Sequence, residues 1–101
     1  MAIVDDVMTL ENGADSREDY ACAMQRTIND GSGWSLQGSF GRSMMAAIEA
    51  GDCMLGLKPT QDYWGNGIPS RTMVAEGTKG SRAYVVARNG EDWAAMLEAA
   101  E

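Results

Sequence analysis

A mainly helical α+β domain with one small antiparallel β-hairpin is the architecture this sequence predicts. Three observations carry the prediction. Apolar residues recur at helical spacing through residues 16–30 and again through 35–50. A third amphipathic run covers 91–100. Between these lies a Gly65-Asn66-Gly67 turn flanked by short apolar runs. At 101 residues the chain is one domain's worth, read as a single unit over 1–101.

The elements follow in order. Ile3, Val4, Val7 and Met8 have helical spacing over 2–11, with Asp5 and Asp6 placed to favour the positive end of a helix dipole and Asn12-Gly13 as a stop. A strand is the alternative for this short segment. The helix over 16–30 is the clearest. Ser16 caps it, Asp19 stands three residues on as in a capping box, and Gly31 ends it. Tyr20, Ala21, Met24 and Ile28 make its apolar stripe. The next helix, 35–50, sets Leu36, Phe40, Met44, Ala47 and Ile48 on one face and stops at Gly51. Gly38 and Gly41 fall in its first half, where each costs about 1 kcal/mol relative to Ala. Either another element packs closely there, or the regular helix starts near Ser39. The short Gly-rich connection makes the two helices an antiparallel pair.

Beyond Asp52 the pattern changes. Cys53–Leu57 reads as a short strand and Arg71–Ala75 as the strand that returns after the Gly-Asn-Gly turn. Pro59 and Pro69 keep these strands at an edge or irregular. Residues 82–88 are divided. Tyr84-Val85-Val86 favours strand by propensity, whereas Ser81 as a cap and Asn89-Gly90 as a stop favour helix, which we adopt. Residues 91–100 are helical, with Trp93, Met96, Leu97 and Ala100 on one face. The expected core is Tyr20, Met24, Ile28, Phe40, Met44, Ile48, Trp93 and Leu97, and most of the eight methionines belong inside.

Composition limits the chemistry. With no histidine, the usual Ser-His-Asp and Cys-His arrangements and the commonest general base are absent. Two cysteines cannot complete a four-cysteine zinc site. Asp5-Asp6, Glu18-Asp19 and Glu91-Asp92 lack calcium-loop spacing, and each pair sits in a first helical turn where acids stabilise the helix anyway. Gly77-Thr78-Lys79-Gly80-Ser81 and Gly65-Asn66-Gly67 lack the full phosphate-binding motifs and read as turns. We therefore expect no enzyme, no cofactor and no metal. Cys22 and Cys53 are expected as reduced packing thiols, with a Cys22–Cys53 disulfide left open. No run has the length of a membrane span, and the first residues lack the basic and apolar regions of a signal peptide, so the expected location is a bacterial cytoplasm.

Charge is unevenly spread around a net −7. Residues 1–30 hold seven acids against two bases, and 91–101 hold four acids with no base. Residues 58–90 hold five bases against two acids. A net acidic chain is repelled by nucleic-acid phosphates. Two candidate binding regions stand out. Asp5, Asp6, Glu11, Asp15, Glu18 and Asp19 form a candidate acidic face. Tyr63, Trp64 and Arg71 form a candidate interface loop, with residue types enriched at interface hot spots; Trp64 serves equally as a core anchor.

Two stretches resemble small uncharacterised acidic proteins encoded by bacteriophages and mobile elements of bacteria. They are Trp34-Ser-Leu-Gln-Gly-Ser-Phe-Gly-Arg-Ser-Met-Met-Ala-Ala-Ile-Glu-Ala-Gly-Asp-Cys-Met-Leu-Gly56, and Asp62 through Ser81. The resemblance covers about half the chain and carries over no site residues. By size and charge it implies an inhibitor of host machinery, as anti-CRISPR proteins and DNA mimics are. The leading expectation is a non-enzymatic protein binder, monomer or homodimer, that occupies the basic surface of a bacterial nucleic-acid-binding protein or CRISPR effector. The alternatives are a nucleic-acid binder using Arg71, Lys79, Arg82 and Arg88 with stacking by Tyr63 or Trp64, and a virion assembly protein.

Overall fold

The computed structural model describes residues 16–31, 34, 38–61 and 65–100; side chains within the second helix are described from residue 41 onward. The described residues form four helices and one two-stranded antiparallel hairpin: α1 (Arg17–Asp30), α2 (Gly38–Ala50), β1 (Thr60–Gln61), β2 (Gly67–Ile68), α3 (Arg82–Asn89) and α4 (Glu91–Ala99). The mainly helical α+β architecture matches the sequence expectation. The segment 2–11 and residues 35–37 lie outside the described residues.

Local chemistry sets the boundaries of α1. Ser16 Oγ accepts the Asp19 N–H at 3.0 Å, satisfying one of the helix's orphan donors. At the other end Gly31 turns left-handed, with φ of 83°, and its N–H reaches the Thr27 and Ile28 carbonyls. Helix α2 is described from Gly38, and the earlier of the two expected starts lies outside the described residues. No close approach explains Gly41, because a Cβ there would meet nothing within 4 Å. Residues 82–89 are helical. Ser81 Oγ accepts the Tyr84 N–H at 3.2 Å, and this cap outweighs the strand propensity of Tyr84-Val85-Val86.

Two clusters form the core. The first joins Met24 and Ile28 of α1, Met44 and Ile48 of α2, and Trp34, Cys53, Leu55 and Ile68. The second joins Ala21, Met54, Val85, Ala94 and Leu97, with Trp93 and Met96 packed against it. The segment Cys53–Leu55 passes between them. Cys53 and Leu55 face the first cluster and Met54 the second, the alternation of an extended chain.

That alternation prompted the reading of Cys53–Leu57 as a strand, which the structure corrects. Among the described residues the segment pairs with no neighbouring strand. Its backbone groups are satisfied one at a time: Gln25 Oε1 accepts the Met54 N–H at 2.7 Å, and Gln25 Nε2 donates to the Met54 carbonyl at 3.0 Å. The Leu55 N–H donates to the Gly80 carbonyl at 3.0 Å, and the Gly56 carbonyl accepts the Arg71 N–H at 2.9 Å. Arg71–Ala75 is likewise no strand; the Met73 N–H closes a turn onto the Ser70 carbonyl at 3.0 Å. The hairpin lies closer to the Gly-Asn-Gly turn, with Thr60 opposite Ile68 and Gln61 opposite Gly67. Pro59 and Pro69, which lack an N–H, bracket this short ladder.

The expected core holds for Met24, Ile28, Met44, Ile48 and Leu97. Tyr20 is a correction: it is 39% exposed, because its position on α1 lies at the edge of the buried face. Trp93 is half-buried, and the side chain of Phe40 is outside the described residues. Of the described methionines, Met24, Met44 and Met54 are buried, Met96 is half-buried, and Met45 and Met73 are exposed.

Candidate interaction surface

Helical spacing brings Arg17, Tyr20, Ala21 and Met24 to one face of α1. Ala47 of α2, Asp52 and Cys53 of the following loop, and Trp93 of α4 complete a cleft of about 40 Å³. Its floor is mainly apolar. Its rim is polar and tied together by Arg17. The Arg17 guanidinium stacks over the Trp93 ring at 4.0 Å from the centroid. Its Nη2 reaches Asp52 Oδ1 at 3.0 Å and Asn89 Oδ1 at 2.8 Å. Trp93 Nε1 donates to the Asp52 carbonyl at 3.0 Å, and Asn89 Nδ2 donates to the Gly51 carbonyl at 2.8 Å. These bonds lock α1, the loop and the α3–α4 pair around the cleft. The exposed ion pair itself contributes under about 1 kcal/mol.

Cys53 lies at the cleft floor, fully buried, its Sγ donating to the Ala21 carbonyl at 3.5 Å. Desolvation, then Asp52, then Cys22 push its thiol far up, so it stays protonated near neutral pH and is no nucleophile. The Cys22 thiol is also raised, by burial first, with Arg26 opposing and Asp19 and Glu18 adding. Both thiols are free, which closes the disulfide alternative in this structure.

Of the acidic face, Glu18 and Asp19 are exposed in the first turn of α1. Among the described residues neither carboxylate is held in an ion pair. Asp5, Asp6, Glu11 and Asp15 lie outside the described residues, as do Tyr63 and Trp64 of the interface loop. Arg71 is half-buried. Its guanidinium is turned at least in part to the chain itself: its Nε donates to the Leu55 carbonyl at 2.8 Å and its Nη2 to Asn29 Oδ1 at 2.9 Å. A guanidinium with five donors is well suited to fix such a loop.

The other arginines of the basic segment are also engaged. Arg82 bridges Glu91 and Glu98 on α4, the latter at 3.0 Å from its Nε, and Glu91 is held below the usual carboxylate range by Arg82. Arg88 lies 5.0 Å from the Tyr84 ring centroid. Lys79 is exposed. Among the described residues no three His, Cys, Asp or Glu side chains gather as metal ligands would. Among them, too, no helix is long and apolar enough to cross a membrane.

The sequence reading missed the cleft. Arg17, Tyr20, Ala21 and Met24 were legible as one helical face, but nothing local pairs Arg17 with residues 35 and 76 positions away. No protein-family model, curated protein or solved structure matches the chain.

Proposed function

We propose that this chain is a non-enzymatic protein-binding protein of a phage or mobile element, acting in the cytoplasm of a bacterial host. It inhibits a defence or nucleic-acid-handling protein, in the manner of an anti-CRISPR protein, by covering that protein's basic surface. One observation carries the reading. Arg17, Arg71, Arg82 and Arg88 are engaged with groups of the chain itself, while Glu18 and Asp19 stand exposed in the first turn of the helix that forms one wall of the cleft, Glu18 on the side next to Ala21. Tyr, Trp and Arg are the residue types that dominate interface energetics. Uncompensated carboxylates steer a basic groove toward them and speed encounter. The same arrangement weighs against nucleic-acid binding, because phosphates need cations that are free to meet them.

Affinity capture tests the proposal. The tagged chain is offered to a nuclease-treated bacterial lysate containing CRISPR effectors. The expected outcome is one protein retained in stoichiometric amount, released by salt and lost with the Glu18→Gln/Asp19→Asn double variant. Partners that return only when nuclease is omitted would assign the chain to nucleic-acid binding instead.

A further inference from the structure

We infer that the cleft between α1, α2 and Trp93 is the anchor socket for one small aliphatic side chain carried on a cationic segment of the partner protein. This inference rests on the protein-binding reading of the same surface and adds what that surface recognises.

Size comes first. At about 40 Å³ the cleft is far below the ~300–1,000 Å³ of sites that enclose small-molecule ligands. It is about three times the ~10–15 Å³ that one water requires, which suits the branched tip of a single side chain. The chemistry of the floor agrees. Ala21, Met24 and Ala47 present carbon and a thioether, and the Cys53 thiol at the floor is neutral. Methionine adapts its shape to an inserted group. The rim supplies Tyr20, Trp93 and the stem of Arg17.

Charge selects the segment that carries the anchor. Arg17 is neutralised by Asp52. Glu18 lies about 60° around α1 from Ala21, and Asp19 about 100° from Tyr20, at ~100° per residue. Glu18 therefore borders the α1 wall of the cleft, whereas Asp19 lies on the far side of the helix and adds only longer-range negative potential. Asp92 precedes Trp93 in the first turn of α4 and is exposed. A lysine- or arginine-bearing segment meets opposite charge on each side of its anchor, whereas a second copy of this acidic chain would meet its own sign.

The probes are two 12-residue peptides of lysine and glycine, one with a central valine and one with a central serine, titrated into the full chain followed by amide NMR. The valine peptide should bind about five- to tenfold more tightly, as burial of an aliphatic side chain predicts. Its shifts should centre on Ala21, Met24, Ala47 and the Trp93 indole. Filling the cleft with Ala47→Leu should abolish the preference for valine and leave the serine peptide's affinity unchanged. Tyr20→Ala, at an exposed position, should reduce the preference by removing one wall, and it serves should Ala47→Leu fail to fold. Glu18→Gln/Asp19→Asn should weaken both peptides equally.

Equal affinities that both fall with the acidic double variant would overturn the socket and leave the acidic-surface reading standing. A valine preference insensitive to the double variant would overturn the cationic part of the inference, and with it the acidic-surface reading. No binding of either peptide at millimolar concentration would overturn the socket, and affinity capture would still decide the proposed function separately.

Discussion

Gln25 is fully buried in α1 and bonds both the N–H and the carbonyl of Met54, while its Nε2 also reaches Asn29 Oδ1 at 3.0 Å. One side-chain amide thus stands in for a neighbouring strand. Gln25→Leu should strand both backbone groups of Met54 and cost about 2–4 kcal/mol, read from urea unfolding. A loss under about 0.5 kcal/mol would show that the segment finds other partners. Cys53 gives a prediction in pH. Its folded thiol is raised above the ordinary range near about 8.5, so alkali ionises the unfolded chain first. The contribution is fully present below about pH 8.5 and is lost as pH rises beyond it. Between pH 7 and 10 the wild type should therefore lose more stability than Cys53→Ala; parallel slopes would contradict the burial argument. At this scale the sequence was readable where periodicity decides, as for Met24, Ile28 and Ile48. It misplaced Tyr20, at the edge of the buried arc, and could not show that Arg71 bonds a carbonyl 16 residues away.

Among the elements, the helices were legible because their signals are local. Ser16 and Ser81 both cap, and Gly31 stops α1 where it was expected. The two caps differ in what else they hold. Ser16 Oγ accepts one N–H at an exposed site. Ser81 Oγ accepts the Tyr84 and Gly77 N–H groups and donates to the Thr78 carbonyl at 2.7 Å, and the residue is buried. Ser81→Ala should cost about 2 kcal/mol or more and Ser16→Ala about 1 kcal/mol, measured as unfolding midpoints in parallel. The reverse order would contradict this account of the 77–84 turn. The strands were misplaced because their alternation was real but their pairing was not. Cys53–Leu55 alternates between two clusters, and Gly80, at φ of 93°, comes so close to Leu55 that a Cβ would lie 2.5 Å from its Cδ1. Sheet pairing is a long-range property, and a turn capped by Ser81 competes for the same backbone groups as a ladder would.

At the scale of the whole molecule, the net −7 is legible in composition, but its consequence is not. The sequence shows a basic segment over 58–90 that would suit phosphates. In the fold, Arg71 closes onto a loop, Arg82 onto α4 and Arg88 onto Tyr84. Three of the five cations of that segment are thus held by the chain itself, and Lys58 and Lys79 are the ones left exposed without such a contact among the described residues. Of the candidate surface, Glu18 and Asp19 could be named beforehand. The cleft depends on Arg17 meeting Asp52, Asn89 and Trp93 from distant parts of the chain.

The affinity of the captured partner, measured across a salt series for the wild type and for Glu18→Gln/Asp19→Asn, tests the central claim most directly. Acidic recognition of a basic surface predicts wild-type affinity that falls as salt screens the charges. The double variant should bind more weakly at low salt and depend less on salt, with the two curves converging at high salt. A double variant that binds as tightly as the wild type, with the same salt dependence, would contradict the claim that these carboxylates engage the partner.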